Sequence, residues 1–162
     1  MDPFVDPLQS RHVLPGEYPA WDHALALLNQ DLAATLPDQE PLRLMALPPY
    51  AEGEPEAVHV SLANGEWHGN SLPPEAADDP ATALEAIAEA AQDTLVELLW
   101  QAWPLCPEHD LGMHPRPVDG RLSWWCAGER LRRGPSHLRA AVGELDTLVR
   151  VPRPNQKKRK SR

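Results

Sequence analysis

The chain contains two cysteines, and the residues around them are the ones equipped for soft-metal chemistry. Cys106-Pro107-Glu108-His109 comes first, then His114, an Asp119-Gly120 turn, Trp124-Trp125-Cys126, and His137. Both cysteines and three of the seven histidines thus fall within 32 of 162 residues. Zinc accepts thiolates and imidazoles together in tetrahedral geometry and needs no redox chemistry, so it is the ion this set suits. A Cys-x2-His spacing lets one tight turn aim two side chains at a single ion, and Pro107 stiffens that turn. The Asp119-Gly120 hairpin then folds the chain back and brings Cys126 toward the first pair. His137 is the expected fourth ligand, with His114 as the alternative; His114 stands beside Pro115 on the outgoing strand. Without a metal, Cys106 and Cys126 would be buried thiols and the histidines would be satisfied by hydrogen bonds.

A zinc with an open position would be catalytic, and Glu108 would then be the nearest general base, with no second carboxylate beside it to tune its proton affinity. The sequence has no G-x-S-x-G, P-loop or H-E-x-x-H, nor the paired motifs of zinc deaminases.

The elements that must position these residues are read from periodicity and punctuation. Residues 1–18 form an irregular arm. Pro19 opens a helix in which Trp21, Ala24, Leu25, Leu28, Leu32 and Leu36 recur at helical spacing; Asp22, His23, Gln30 and Asp31 fall on its solvated face. Leu42–Leu47 and Ala57–Leu62 read as strands. Asn64-Gly65 predicts a hairpin that sets Leu62 against Trp67 and Ser61 against His68, leaving His59 and His68 on its exposed face. Asp79 and Pro80 cap the longest helix, roughly 80–102. Its stripe of Glu85, Glu89, Asp93 and Glu97 is expected to face solvent or a basic surface. Ser136 should cap a final helix carrying Leu138, Ala141, Val142 and Leu145, with His137 in its first turn.

The predicted fold class is therefore α+β: an N-terminal helix, a small antiparallel sheet, a long amphipathic helix, then a zinc-ribbon-like or treble-clef-like hairpin and a last helix. The domain reading is an arm at 1–18, an α+β domain at 19–103, a zinc module at 104–150 packed on it, and a disordered basic tail at 151–162.

Charge divides the chain as sharply as motif does. Residues 1–110 carry 20 of the 24 acids and two bases, Arg11 and Arg43, whereas residues 111–162 carry 13 of the 15 bases. Such asymmetry suits a protein partner or a homo-oligomer, or nucleic acid bound through Arg130, Arg132, Arg133, Lys157, Lys158, Arg159 and Lys160 together with Arg116, Arg121 and Arg139. The acidic larger part would repel that polyanion. No apolar run reaches membrane-helix length and Met1–Phe4 does not open a signal peptide, so a cytoplasmic protein with reduced cysteines is expected.

From Trp103-Pro104 through Cys106-Pro107-x-His109, His114-Pro115, Asp119-Gly120, Trp124-Trp125-Cys126 and His137, with Ala141-Val142-Gly143-Glu144-Leu145, the chain resembles a group of small bacterial proteins of GC-rich soil bacteria. In that group a helix leads into a CPxH knuckle and a WxC strand. The likeness spans about 50 residues. It implies a shared zinc-ribbon-like module and transfers no reaction; the stretch from Ala127 to Ser136 is a long insertion before the closing histidine. The resulting expectation is a non-catalytic interaction protein with a structural zinc, ahead of nucleic-acid binding and of a small zinc hydrolase.

Overall fold

A computed structural model describes residues 9–49, 51–128 and 136–145. Among the described residues, two helices and two three-stranded antiparallel sheets form a mixed α+β fold. The first sheet has the order β1 (Arg11–His12), β2 (Arg43–Leu47), β3 (Ala57–Ser61), and the second runs β4 (His114–Val118), β5 (Arg121–Cys126), β6 (His137–Ala141). Helix α1 (Pro19–Thr35) packs against α2 (Pro80–Leu99), and a short 3-10 turn at Pro74–Ala77 precedes α2.

Both helices begin where the sequence places them. Proline occupies the first turn of each, where its missing N–H is no loss. The Asp79 carboxylate caps α2 by accepting from Thr82 N (2.9 Å) and Thr82 Oγ1 (2.8 Å). Trp21, Leu28 and Leu32 of α1 and Ile87, Ala91 and Leu95 of α2 are buried, and one continuous core runs from them to Trp103, Met113, Trp124 and Val142. The second sheet thus shares the core of the first part of the chain. The Glu85, Glu89, Asp93 and Glu97 stripe is exposed, as its lack of apolar side chains predicts.

Three local expectations are overturned. The arm is not wholly irregular: Arg11 and His12 pair with Ala46 and Met45, because β2 would otherwise present an unpaired edge there. The Asn64-Gly65 turn forms, but it starts no strand. Only Gly65 adopts positive φ (93°), so this is not the type I′ turn that propagates a hairpin, and the pairing stops after Leu62 N donates to Glu66 O. The chain instead folds back against the sheet: the Trp67 ring stacks on His59 at 4.5 Å, and Gly65 lies next to Met45. Ser61, expected to be exposed, is fully buried. His68 leaves the sheet altogether and lies 4.0 Å from Asp93 and 3.9 Å from Glu97 of α2.

The largest correction concerns the final helix. Residues 137–141 form β6, paired antiparallel with β5 in the register Cys126↔His137 and Ser123↔Ala141, with a bulge between Trp124 and Trp125. The spacing of Leu138, Ala141, Val142 and Leu145 imitates a helical stripe, but Leu138 is 45% exposed while Val142 and Leu145 are buried. Pairing with the otherwise free edge of β5 overrides the local period. Val142 and Gly143 form a turn and Leu145 is helical, while the rest of the expected helix from 146 on, the basic residues Arg130, Arg132 and Arg133, and the tail with Lys157, Lys158, Arg159 and Lys160 lie outside the described residues.

Candidate metal centre

The site is assembled from a turn and the end of a sheet. α2 ends at Trp100, which is in the left-handed conformation, and the chain turns through a cis Trp103-Pro104 peptide into the knuckle. Met113 N donates to Pro104 O (2.7 Å), and Leu105 bridges Gly112, so residues 104–113 form a loop pinned at both ends. Within it, Cys106 O accepts from His109 N and Asp110 N, while Cys106 N donates to Leu111 O (2.8 Å). Asp110, at φ 56°, reverses the chain. These bonds turn Cys106 and His109 toward the same side. Gln92 on α2 fixes the whole loop by donating from one amide nitrogen to Trp103 O (3.0 Å) and Met113 O (2.7 Å).

The other half follows from β pairing. Asp119 (φ 50°) and Gly120 (φ 80°) both take positive φ, giving the tight turn expected between β4 and β5. Cys126 ends β5 directly opposite His137 on β6, and opposite residues of an antiparallel pair project to one face. A strand therefore delivers His137 to the site, where a helix was expected to do so.

The four donor atoms of Cys106, His109, Cys126 and His137 all lie within 4.8 Å of one another, and the group could hold a metal ion. Cys106 Sγ is 3.5 Å from His109 Nδ1 and 3.5 Å from His137 Nε2, and Cys126 Sγ is 3.3 Å from His109 Nδ1. Tetrahedral zinc with the usual Zn–S and Zn–N bond lengths has ligand-to-ligand edges of about 3.3–3.8 Å. Hydrogen bonding alone accounts poorly for this packing: His109 Nδ1 has either one proton or one in-plane lone pair, yet two sulfurs crowd it. A shared cation satisfies all four donors at once. Cys106, His109 and Cys126 are buried, and His137 is half-buried. His114, the alternative ligand, is exposed on β4 with its ring 6.5 Å from Trp125 and is not in the cluster.

Electrostatics separate the two thiols. Burial works to raise the Cys106 pKa, but the hydrogen bond with His109 and those with the Glu108 and His109 backbone outweigh it, bringing Cys106 down to about 7. Burial pushes the Cys126 thiol up, against the opposing hydrogen bond from Gly128 N (3.4 Å). The metal-free site is thus poised near neutral pH to hold one thiolate and one thiol, and binding must displace the remaining proton. Affinity for a metal at this site is expected to fall as pH falls from 8 to 6, as Cys106 also takes up its proton. Calorimetry in buffers of different ionisation enthalpy should show about one to two protons released per metal ion bound near pH 7.4.

Among the described residues, the three bases of the second sheet are engaged. Arg116 lies over the Trp125 ring at 4.0 Å, Arg121 pairs with Glu144 (2.5 Å), and Arg139 approaches Glu108 at 3.7 Å.

Asp31, assigned to the solvated face of α1, is completely buried. Its carboxylate accepts from Trp124 Nε1 (2.7 Å), Gly143 N (2.7 Å) and Leu145 N (2.9 Å). One turn later, Thr35 Oγ1 accepts from Trp103 Nε1 (2.8 Å). Two polar residues at i and i+4 on α1 thereby hold the tryptophans that precede the two cysteines of the cluster in sequence. The available signal was Asp31 beside Leu28, Leu32 and Thr35 on an otherwise apolar face.

Compared with known proteins, the chain matches no family model, and neither a curated protein nor a solved structure matches it.

Proposed function

We propose that Cys106, His109, Cys126 and His137 bind a structural zinc, and that the protein is a non-catalytic interaction protein whose C-terminal sheet is clamped by that ion. The observation that carries the reading is the packing of four protein donors within 4.8 Å of one another in a largely buried site. Four protein ligands fill a tetrahedral ion, whereas catalytic zinc keeps a position for water or substrate. The clamp would join the 104–113 loop, which supplies Cys106 and His109, to the β5–β6 pair, which supplies Cys126 and His137.

The interaction half of the reading rests on charge. The described residues include 20 acids and only five bases, and Arg11, Arg116, Arg121 and Arg139 are engaged with carboxylates or a ring within the fold. Such a surface favours a basic protein partner over a polyanion. Nucleic-acid binding would depend on bases outside the described residues, and truncation after Pro154 with a salt-dependent gel shift separates the two readings.

Elemental analysis of protein purified without chelators tests the zinc directly. About one equivalent is expected; less than a tenth, with Cys106→Ser leaving stability untouched, would sink the reading. The ligand assignment has its own contrast. His137→Ala should weaken zinc binding by more than the roughly 10- to 100-fold that loss of a hydrogen-bonding partner behind a ligand costs, while His114→Ala should leave competition titrations with a chromogenic chelator unchanged.

A further inference from the structure

We propose that Cys106 and Cys126 form a thiol switch, in which two-electron oxidation by a peroxide joins them in a disulfide and releases the metal. This inference rests on the structural-zinc reading and adds a means of regulating that site.

The geometry favours the pair over any other outcome of oxidation. The chain has no third cysteine to compete, both thiols are free, and their sulfurs are no more than 4.8 Å apart. A disulfide requires about 2.05 Å between sulfurs, with Cα atoms commonly 4.4–6.8 Å apart. Rotating one cysteine between staggered χ1 wells moves its sulfur by about 3 Å, so side-chain motion covers most of the gap. The backbone can supply the rest. Cys126 is the last residue of β5 and is followed by Gly128 at φ 77°, while Cys106 sits in a turn outside either sheet. Entry is available on the side of His137, the one donor of the four that is not fully buried.

The chemistry closes without a further reactant. One thiolate attacks the peroxide O–O bond, which breaks to give a sulfenic acid and hydroxide. The second thiolate attacks the sulfenic sulfur, the S–O bond breaks, and the S–S bond forms as a second hydroxide leaves. Two protons from solvent convert the hydroxides to water. The two sulfurs lose two electrons in all, and one peroxide is reduced to two waters. His109 and His137 are then the only donors left, and two imidazoles do not retain zinc against a chelator. A dithiol reverses the step by thiol–disulfide exchange.

The test uses the full chain loaded with one zinc and treated with hydrogen peroxide in sub-stoichiometric steps. A chromogenic chelator reads released zinc, and mass spectrometry of an unreduced digest reads the cross-link. One zinc should appear for each linked Cys106–Cys126 peptide pair, lighter by two hydrogens than the separate peptides, and dithiothreitol with added zinc should restore the starting state. Zinc retained after the oxidant is consumed, sulfinic acid without a cross-link, or a disulfide between two chains would each overturn the switch while leaving the zinc site standing. A reduced chain that binds no zinc shows, before any oxidant is added, that the metal reading itself has failed, and the switch fails with it.

Discussion

Replacing Asp31 with alanine is expected to remove about 3–5 kcal/mol of folding stability, measured as the shift in a urea unfolding midpoint at unchanged slope. The side chain is fully buried in α1 and accepts three hydrogen bonds from the second sheet region, from the Trp124 indole and from the backbone of Gly143 and Leu145. Truncation leaves three donors facing a dry cavity, and each unsatisfied buried group costs about 1–3 kcal/mol. A domain of this size has about 5–15 kcal/mol in total, so the variant should be marginal at 37 °C. Asp31→Asn distinguishes hydrogen bonding from mere shape. Its oxygen can replace Oδ2, which serves Trp124 and Gly143, but its amide then turns N–H groups toward Leu145 N–H. An intermediate loss of about 2–3 kcal/mol follows. Asp38, exposed just beyond the end of α1, is the control, and Asp38→Ala should stay within about 0.5 kcal/mol of the parent. Equal effects at the two positions would refute the buried-anchor account.

Removing the proposed zinc should lower the melting temperature by about 10 °C. Zinc held at about 1,000 times its dissociation constant contributes about 4 kcal/mol to the folded state, and 1 kcal/mol corresponds to about 2–4 °C in chains of 150–250 residues. Chelation and Cys106→Ser should produce the same drop, because each opens the junction between the 104–113 loop and the β5–β6 edge. The two should not add: a chelator has nothing further to remove from the Cys106→Ser protein. If the chelator instead lowers the melting temperature of Cys106→Ser as much as that of the parent, the ion it removes is held elsewhere. The loss should leave α1, α2 and the first sheet in place, because their own contribution to the common core, Trp21, Leu28, Leu44, Val58, Ile87 and Leu95, supplies none of the four donors, whereas Cys106 and Cys126 enter that core from the 104–113 loop and β5. Far-ultraviolet circular dichroism should therefore change little at temperatures below the transition.

These two expectations arise from different levels of the molecule. Cys106, His109, Cys126 and His137 could be named from residue type and spacing, since few arrangements other than a metal site concentrate all the thiols and nearly half the histidines in so short a stretch. The starts of α1 and α2 and the Asp119-Gly120 turn were equally legible, because proline, a capping carboxylate and a turn glycine act through their immediate neighbours. The burial of Asp31 was not legible: three of its donors are supplied from positions 124, 143 and 145, far along the chain, and nothing near Asp31 announces them. The same holds for His137. Its segment has a helical period, yet an open strand edge on β5 decided its conformation. Local sequence thus determined the donors, caps and turns, whereas the tertiary structure decided which polar group was buried and which conformation an ambiguous segment adopted, because hydrogen-bond partners distant in sequence override preferences of a few tenths of a kcal/mol per residue.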